Sequence, residues 1–333
     1  MLRLKLLVGL LWVLALLLAG WTLSQLPFGA IKDIVAALTI SNWALWITIN
    51  AIVLALPLLR WTLLTQAIGT TIKRRFFLSI RLAGNAVSFL TPGPYFGGEP
   101  LQLYWMYTLQ KMPLHRATLS LGLDRFFELV TNISVVLGAL VLLVLSSTLA
   151  SDDLLYPILA LVLLLLLMIG AGVLLLRQPQ WLSKRLDTLA HRWSQHPRLS
   201  RIDCQWQQFG ADLRNVFATQ RSRLWLALLL SLLGWAALLV ELLLLLHFLG
   251  LSLEPFEFIL IIVAMRLAML LPAPGGIGTI EAALLWSFQL LQLPATAAIG
   301  LIALTRLRDA IVLVIGLWCL ARLQRASKQQ GRA

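Results

Sequence analysis

Two blocks of this 333-residue chain break apolar runs in the same way. The first reads Pro92-Gly93-Pro94-Tyr95-Phe96-Gly97-Gly98-Glu99. The second reads Pro272-Ala273-Pro274-Gly275-Gly276-Ile277-Gly278-Thr279-Ile280-Glu281. Proline and glycine interrupt a helix and free its backbone donors and acceptors, which hydrocarbon cannot satisfy. A carboxylate at the edge of the break adds a second cost. The flanks repeat too: Glu99 is followed by Pro113 and Glu281 by Pro294 at nearly the same distance, and Arg125 and Arg306 lie inside the next apolar segment. A break this costly, present twice, points to a site built from internal repeats.

Membrane residence follows from the composition, 60% apolar and 12% charged, far from the soluble average. Runs such as Leu154–Leu176 and Leu224–Leu249 exceed the ~20 residues that cross a hydrocarbon core. The start, Met1-Leu2-Arg3-Leu4-Lys5 and then Leu6–Leu23, is expected to be an uncleaved first span. Cys204 and Cys319 are the only cysteines, so neither a disulfide framework nor a metal site is expected. Cofactor fingerprints are absent, and no nucleophile–base set converges, so the expectation is a protein without cofactor that is not an enzyme.

The net charge of +13 is explained by orientation rather than by nucleic acid. Lysine and arginine collect in Arg60–Arg81, Lys111–Arg116, Arg177–Arg223 and the tail Arg322–Arg332. The stretches Ser147–Tyr156, Gly250–Glu257 and Gln289–Ala295 hold none. This is the positive-inside bias. It predicts both termini in the cytoplasm of a multi-pass membrane protein.

Read along the chain, full spans are expected near Leu6–Leu23, Trp43–Leu59, Ala117–Leu145, Leu154–Leu176, Leu224–Leu249 and Ala297–Leu320. Phe76–Leu90 with Gly98–Leu109, and Pro255–Leu271 with Ile277–Leu290, are too short to cross and read as re-entrant hairpins A and B. If each hairpin returns to its own side, all basic regions share one face. The alternative exports Arg177–Arg223, with nine basic residues against Asp187, Asp203 and Asp212. The preferred arrangement sends hairpin A in from the cytoplasm and hairpin B from outside. The predicted fold is thus all-α and integral to the membrane: about six spans plus two re-entrant hairpins, as inverted repeats over about 1–145 and 154–322 of a single domain, with a tail at 323–333. In the loop, Leu182, Leu186, Leu189 and Trp193, then Trp206, Phe209, Leu213 and Phe217, form amphipathic faces, which either meet anionic headgroups at the leaflet or belong to a surface loop that only orients the chain.

Glu99 and Glu281 open their half-helices, where free amides and the helix dipole favour negative charge. They either cap the turn or line a polar cavity as a proton or counter-ion site. Arg125 shares a helical face with Glu128, as Asp124 does with Glu128; Arg306, Arg308 and Asp309 form the matching cluster. These charges either pair as glue between helices or let an arginine fork contact a headgroup phosphate. The break itself is assigned to Pro92, Gly93, Gly97 and Gly98 in hairpin A, and to Pro272, Pro274, Gly275, Gly276 and Gly278 in hairpin B. Of the weaker candidates, Arg266 is expected to pair with Glu241, Asn85 to satisfy backbone freed at the break, and His247 to sit at an interface.

Asn85, Pro92, Gly98-Glu99 and Asp124-Arg125, with Pro272, Pro274-Gly275-Gly276, Gly278, Glu281 and Arg306, resemble the transmembrane region of lysylphosphatidylglycerol synthases. The region also occurs alone in bacterial and archaeal proteins described as flippase-like. The resemblance implies movement of a phospholipid, or of a polyprenyl-linked lipid, across a bacterial inner membrane. It does not imply synthesis of lysylphosphatidylglycerol, because no aminoacyl-transferase domain is seen up to Ala333. The rivals are an intramembrane enzyme, or enzyme subunit, acting on a lipid-linked sugar, and a non-transporting scaffold.

Overall fold

A computed structural model describes residues 38–91, 97–145, 151–177, 200–269, 271 and 274–330. Among them every regular element is helical. In chain order these are α1 (Ile40–Ala67), α2 (Arg74–Leu90), α3 (Glu99–Gln110), α4 (Leu114–Leu145), α5 (Ser151–Arg177), α6 (Ser200–Thr219), α7 (Arg221–Phe248), α8 (Pro255–Ala268), α9 (Thr279–Leu290) and α10 (Ala295–Gln330). The expected first span and the Leu182–Trp193 face fall outside the described residues.

Among the described residues three helices, α1, α4 and α7, are long and apolar enough to cross a membrane. The hairpin helices are shorter. Helices α3 and α9 have 12 residues each, about 18 Å at 1.5 Å per residue, well under a core of about 30 Å.

The duplication extends through the backbone. Ile40 and Arg221, Arg74 and Pro255, and Leu114 and Ala295 open matching helices. Each pair is 181 residues apart. Helices α1 and α7 have 28 residues each and end alike. Gly69 (φ 79°) and Gly250 (φ 74°) follow them. Thr70 N–H bonds back to Thr65 O at 3.3 Å and Leu251 N–H to Leu246 O at 3.0 Å, the return bond of a Schellman end. After α3 and α9 the chain turns at Lys111 (φ 51°) and Gln292 (φ 56°), the two non-glycine residues with positive φ among those described. Pro113 and Pro294 then start α4 and α10, accepting from the amides of Ala117 and Ala298.

The chain forms two compact units, and each takes pieces of both repeats. One comprises Met1–Val53, Leu78–Gln102 and Ala236–Ala333; the other comprises Leu54–Phe77 and Leu103–Trp235.

In the second unit, Leu64, Ala67 and Ile68 of the α1 end, Leu119 and Leu123 of α4, Leu213 and Val216 of α6, and Leu224 and Ala227 of α7 form one buried cluster. Phe209 and Phe217 pack against it. This corrects the expectation for the second half of the loop. Leu213 and Val216 of α6 are covered by protein rather than laid on a leaflet. Asp212 on its other side takes Arg116 Nε at 3.3 Å and faces His115 Nε2 at 3.5 Å. A second correction concerns Arg60. It does not open a basic loop; it lies within α1 and is 4% exposed.

Candidate functional site

Hairpin B is built around its break. Pro274–Gly276 forms a single 3-10 turn, and Gly275, Gly276 and Gly278 have φ of 58°, 63° and 82°. Residues with a Cβ adopt that region at a cost, so glycine makes the sharp reversal possible. The turn leaves carbonyls without helical partners, and one side chain takes them. Arg306 of α10 donates from Nη1 to Gly275 O and from Nη2 to Gly276 O, both at 3.1 Å. Its Nε bonds Glu281 Oε1 at 2.6 Å, and Nη1 also reaches Asp309 Oδ2 at 3.3 Å. Glu281 in turn accepts from the Gly278 amide through Oε2 at 2.8 Å. One arginine therefore ties together the break, the first turn of α9 and α10. Glu281 takes the capping role that the sequence offered for it, and it also pairs the arginine.

Hairpin A repeats half of this. Glu99 Oε2 accepts from the Gly97 amide at 2.8 Å. The Gly98 amide donates to Ser88 Oγ at 2.9 Å, the role expected of Asn85. The two half-helices touch backbone to backbone: a Cβ on Gly98 would lie 2.0 Å from Gly84 O. Gly98→Ala is therefore expected to cost about 1–3 kcal/mol of stability through overpacking and to lower the melting temperature; unchanged melting of the purified variant would contradict this contact. Pro92 and Gly93 lie outside the described residues, as does Pro272.

Both breaks belong to the first compact unit. A Cβ on Gly275 would meet the Phe89 ring of α2 at 2.4 Å, so hairpin A rests directly on the turn of hairpin B. In the same unit, Gly316 of α10 faces Leu82 O and Ala86 of α2.

The remaining charges form two clusters that correspond across the repeat. In the first unit, Arg308 Nη1 bonds both Glu241 oxygens at 2.9 Å, and Nε and Nη2 bond Asp309 Oδ1 at 3.2 and 3.0 Å. Glu241 thus pairs with Arg308, not with Arg266, whose Nη1 lies 3.6 Å from Met269 Sδ. In the second unit, Arg60 bonds Asp124 Oδ1 at 2.8 Å, Glu128 Oε2 at 3.1 Å and Ser231 Oγ at 3.1 Å. Arg125 Nη1 joins the same Glu128 oxygen at 3.1 Å. Arg60 and Glu241 occupy matching places in α1 and α7, and Glu128 and Asp309 matching places in α4 and α10. The helix after each hairpin is clamped to the preceding long span by a buried ion pair whose sign is reversed between repeats. Arg60 was not among the sequence candidates; its spacing from Glu241, equal to that from Arg125 to Arg306, was the available signal.

Arg125 belongs to the second unit, whereas Glu99, Glu281 and Arg306 belong to the first. Among the described residues, no group of three or more His, Cys, Asp or Glu has the geometry to hold a metal ion.

Duplicated long spans, each leading into a broken hairpin and a charge-clamped helix, define a helical, integral membrane protein of internal repeats. The chain belongs to the family of the lysylphosphatidylglycerol synthase TM region, which matches residues 4–316. It is also similar to a UPF0104 membrane protein of Methanothermobacter thermautotrophicus, at 29% identity over 99 residues, covering 27% of this chain and 29% of that relative. The match therefore spans less than a third of the relative's length. No solved structure matches the chain.

Proposed function

We propose that this protein carries a phospholipid or lipid-linked headgroup across the inner membrane along a polar passage between the two hairpins. The observation that carries the proposal is the seating of Phe89 of hairpin A on the Gly275 turn of hairpin B within one compact unit. Broken half-helices that meet, with carboxylates at their first turns, are how carriers place polar groups at bilayer depth. Membership of a lipid-related membrane family supports the same substrate class. On this proposal the repeats are inverted, hairpin A enters from the cytoplasm and hairpin B from outside, and no covalent step occurs.

Reconstituted vesicles with fluorescent phospholipid provide the test. The wild type is expected to expose inner-leaflet label to an external quencher faster than protein-free vesicles do. Glu99→Gln and Glu281→Gln are expected to slow it at least tenfold while remaining monodisperse. Transport at wild-type rate by both variants would sink the proposal, as would product formation from a lipid-linked sugar by the purified protein.

Topology is tested separately. Cysteines placed in Gly250–Glu257 should label from outside in intact cells, and those in Arg177–Arg223 should not. External labelling of the latter would overturn the inverted arrangement.

A further inference from the structure

The repeat supplies an internal control for each of its own residues. Glu99 is the first residue of α3 and Glu281 the third of α9; with these first-turn carboxylates aligned, Gln102 corresponds to Leu284. Both are buried: Gln102 is 1% exposed and Leu284 0%. Leucine fills its site without polar atoms, so the hairpin fold does not need an amide there. Yet in hairpin A both Gln102 Oε1 and Nε2 are buried without a hydrogen-bond partner. Leaving a buried polar atom unpaired costs about 1–3 kcal/mol, and such a group in a folded protein calls for an occupant.

The amide occupies a defined place. It lies in the notch left by the missing side chain of Gly84, where a Cβ would come within 2.1 Å of Nε2. The backbones of Gly84 and Gly98 close the notch on one side. Ser88, one turn further along α2, offers its hydroxyl nearby, already accepting from the Gly98 amide. An amide presents a donor and an acceptor together and carries no charge. The matching partner is an uncharged O–H, which also donates and accepts. A phosphate oxygen would leave Oε1 facing an anion, and an ammonium would leave Nε2 facing a cation.

We infer that the α2–α3 notch at Gln102 is a binding site for a single hydroxyl-type oxygen, so that hairpin A is hydrated inside where hairpin B is dry. The oxygen comes either from water or from a hydroxyl of the carried headgroup; only the second source rests on the transport proposal. The site makes the two hairpins functionally unequal. On the transport proposal, the polar half of the passage lies on hairpin A, with Leu284 on the other half.

The test is thiol reactivity of the full chain, with Cys204→Ser and Cys319→Ala as background, in nanodiscs. Gln102→Cys is expected to react with methanethiosulfonate ethylammonium at least tenfold faster than Leu284→Cys. Adding Gly84→Ala, which fills the notch, should slow the reaction of Gln102→Cys at least tenfold. Equal rates at 102 and 284 would overturn the inference. So would insensitivity to Gly84→Ala; an unfolded protein, labelling everywhere, would fail on both counts. Nanodiscs of phosphatidylglycerol and of phosphatidylmethanol, equal in charge but differing in hydroxyls, separate the sources. Slower labelling in the first alone assigns the oxygen to the headgroup, and equal labelling assigns it to water. The labelling reads the site whether or not lipid moves, so its failure is distinct from failure of the transport proposal.

Discussion

Replacing Arg306 with alanine is expected to cost about 3–5 kcal/mol, the range for removing one partner of a buried, hydrogen-bonded charge pair. The side chain is 4% exposed and serves Glu281, Asp309 and two backbone carbonyls at once. Its loss strands the Gly275 and Gly276 carbonyls as well as the carboxylates. The break of hairpin B should then lose its fixed shape, with earlier melting and faster proteolysis near 272–281. Arg306→Lys sharpens the result. An ammonium keeps the charge and can reach Glu281, but it lacks the planar fork that spans both carbonyls. It should recover only part of the stability. A lysine variant that melts like the wild type but fails to move lipid would instead assign the guanidinium to a headgroup phosphate. An alanine variant melting like the wild type would remove the latch altogether.

The duplication was visible in the sequence because its markers are rare residues. Pro92–Glu99 and Pro272–Glu281 stand out against apolar surroundings, and Pro113, Pro294, Arg125 and Arg306 set the register. Helix ends near Leu90, Leu145 and Leu290 followed from loss of the apolar run. The partners of the charges did not follow, because an ion pair between helices far apart in sequence leaves no local pattern. Arg60 lies four residues before Leu64 of the buried cluster, and from sequence alone it merges with the basic stretch that follows. Glu241 was expected to pair with Arg266, but its partner Arg308 lies far along the chain, on a helix of the same unit. The face of α6 was legible as amphipathic, but not what covers it. Periodicity reports an apolar stripe and is silent on whether lipid or Leu119 and Leu123 meet it. Gln102 carried no signal, since one glutamine in an apolar helix is unremarkable until its burial and its leucine counterpart are known.

The sign-reversed clamps explain how one architecture tolerates different charges in its two copies. What the helix after each hairpin requires is a buried partner on the long span, and either sign will serve if its complement faces it. That argument makes Arg60 the most sensitive position of the second unit. Arg60→Met is expected to cost about 3–5 kcal/mol, because Asp124, 1% exposed, loses its 2.8 Å partner. Glu128 retains Arg125 and is 39% exposed, so it adds little to the loss. The matching residue of Asp124 in the other repeat is Thr305, buried and bonded to the carbonyls of its own helix. Asp124→Thr should therefore be tolerated where Arg60 has gone, since it removes a buried charge and satisfies its own hydroxyl. The double variant Arg60→Met/Asp124→Thr is expected to be more stable than Arg60→Met alone, a coupling of at least 1 kcal/mol in a range typical of contacting charged residues. Thermal unfolding of the four proteins in one detergent closes the cycle. If the two substitutions simply add, Asp124 is not held by Arg60, and the clamp between the long span and the helix after hairpin A is not what stabilises that unit.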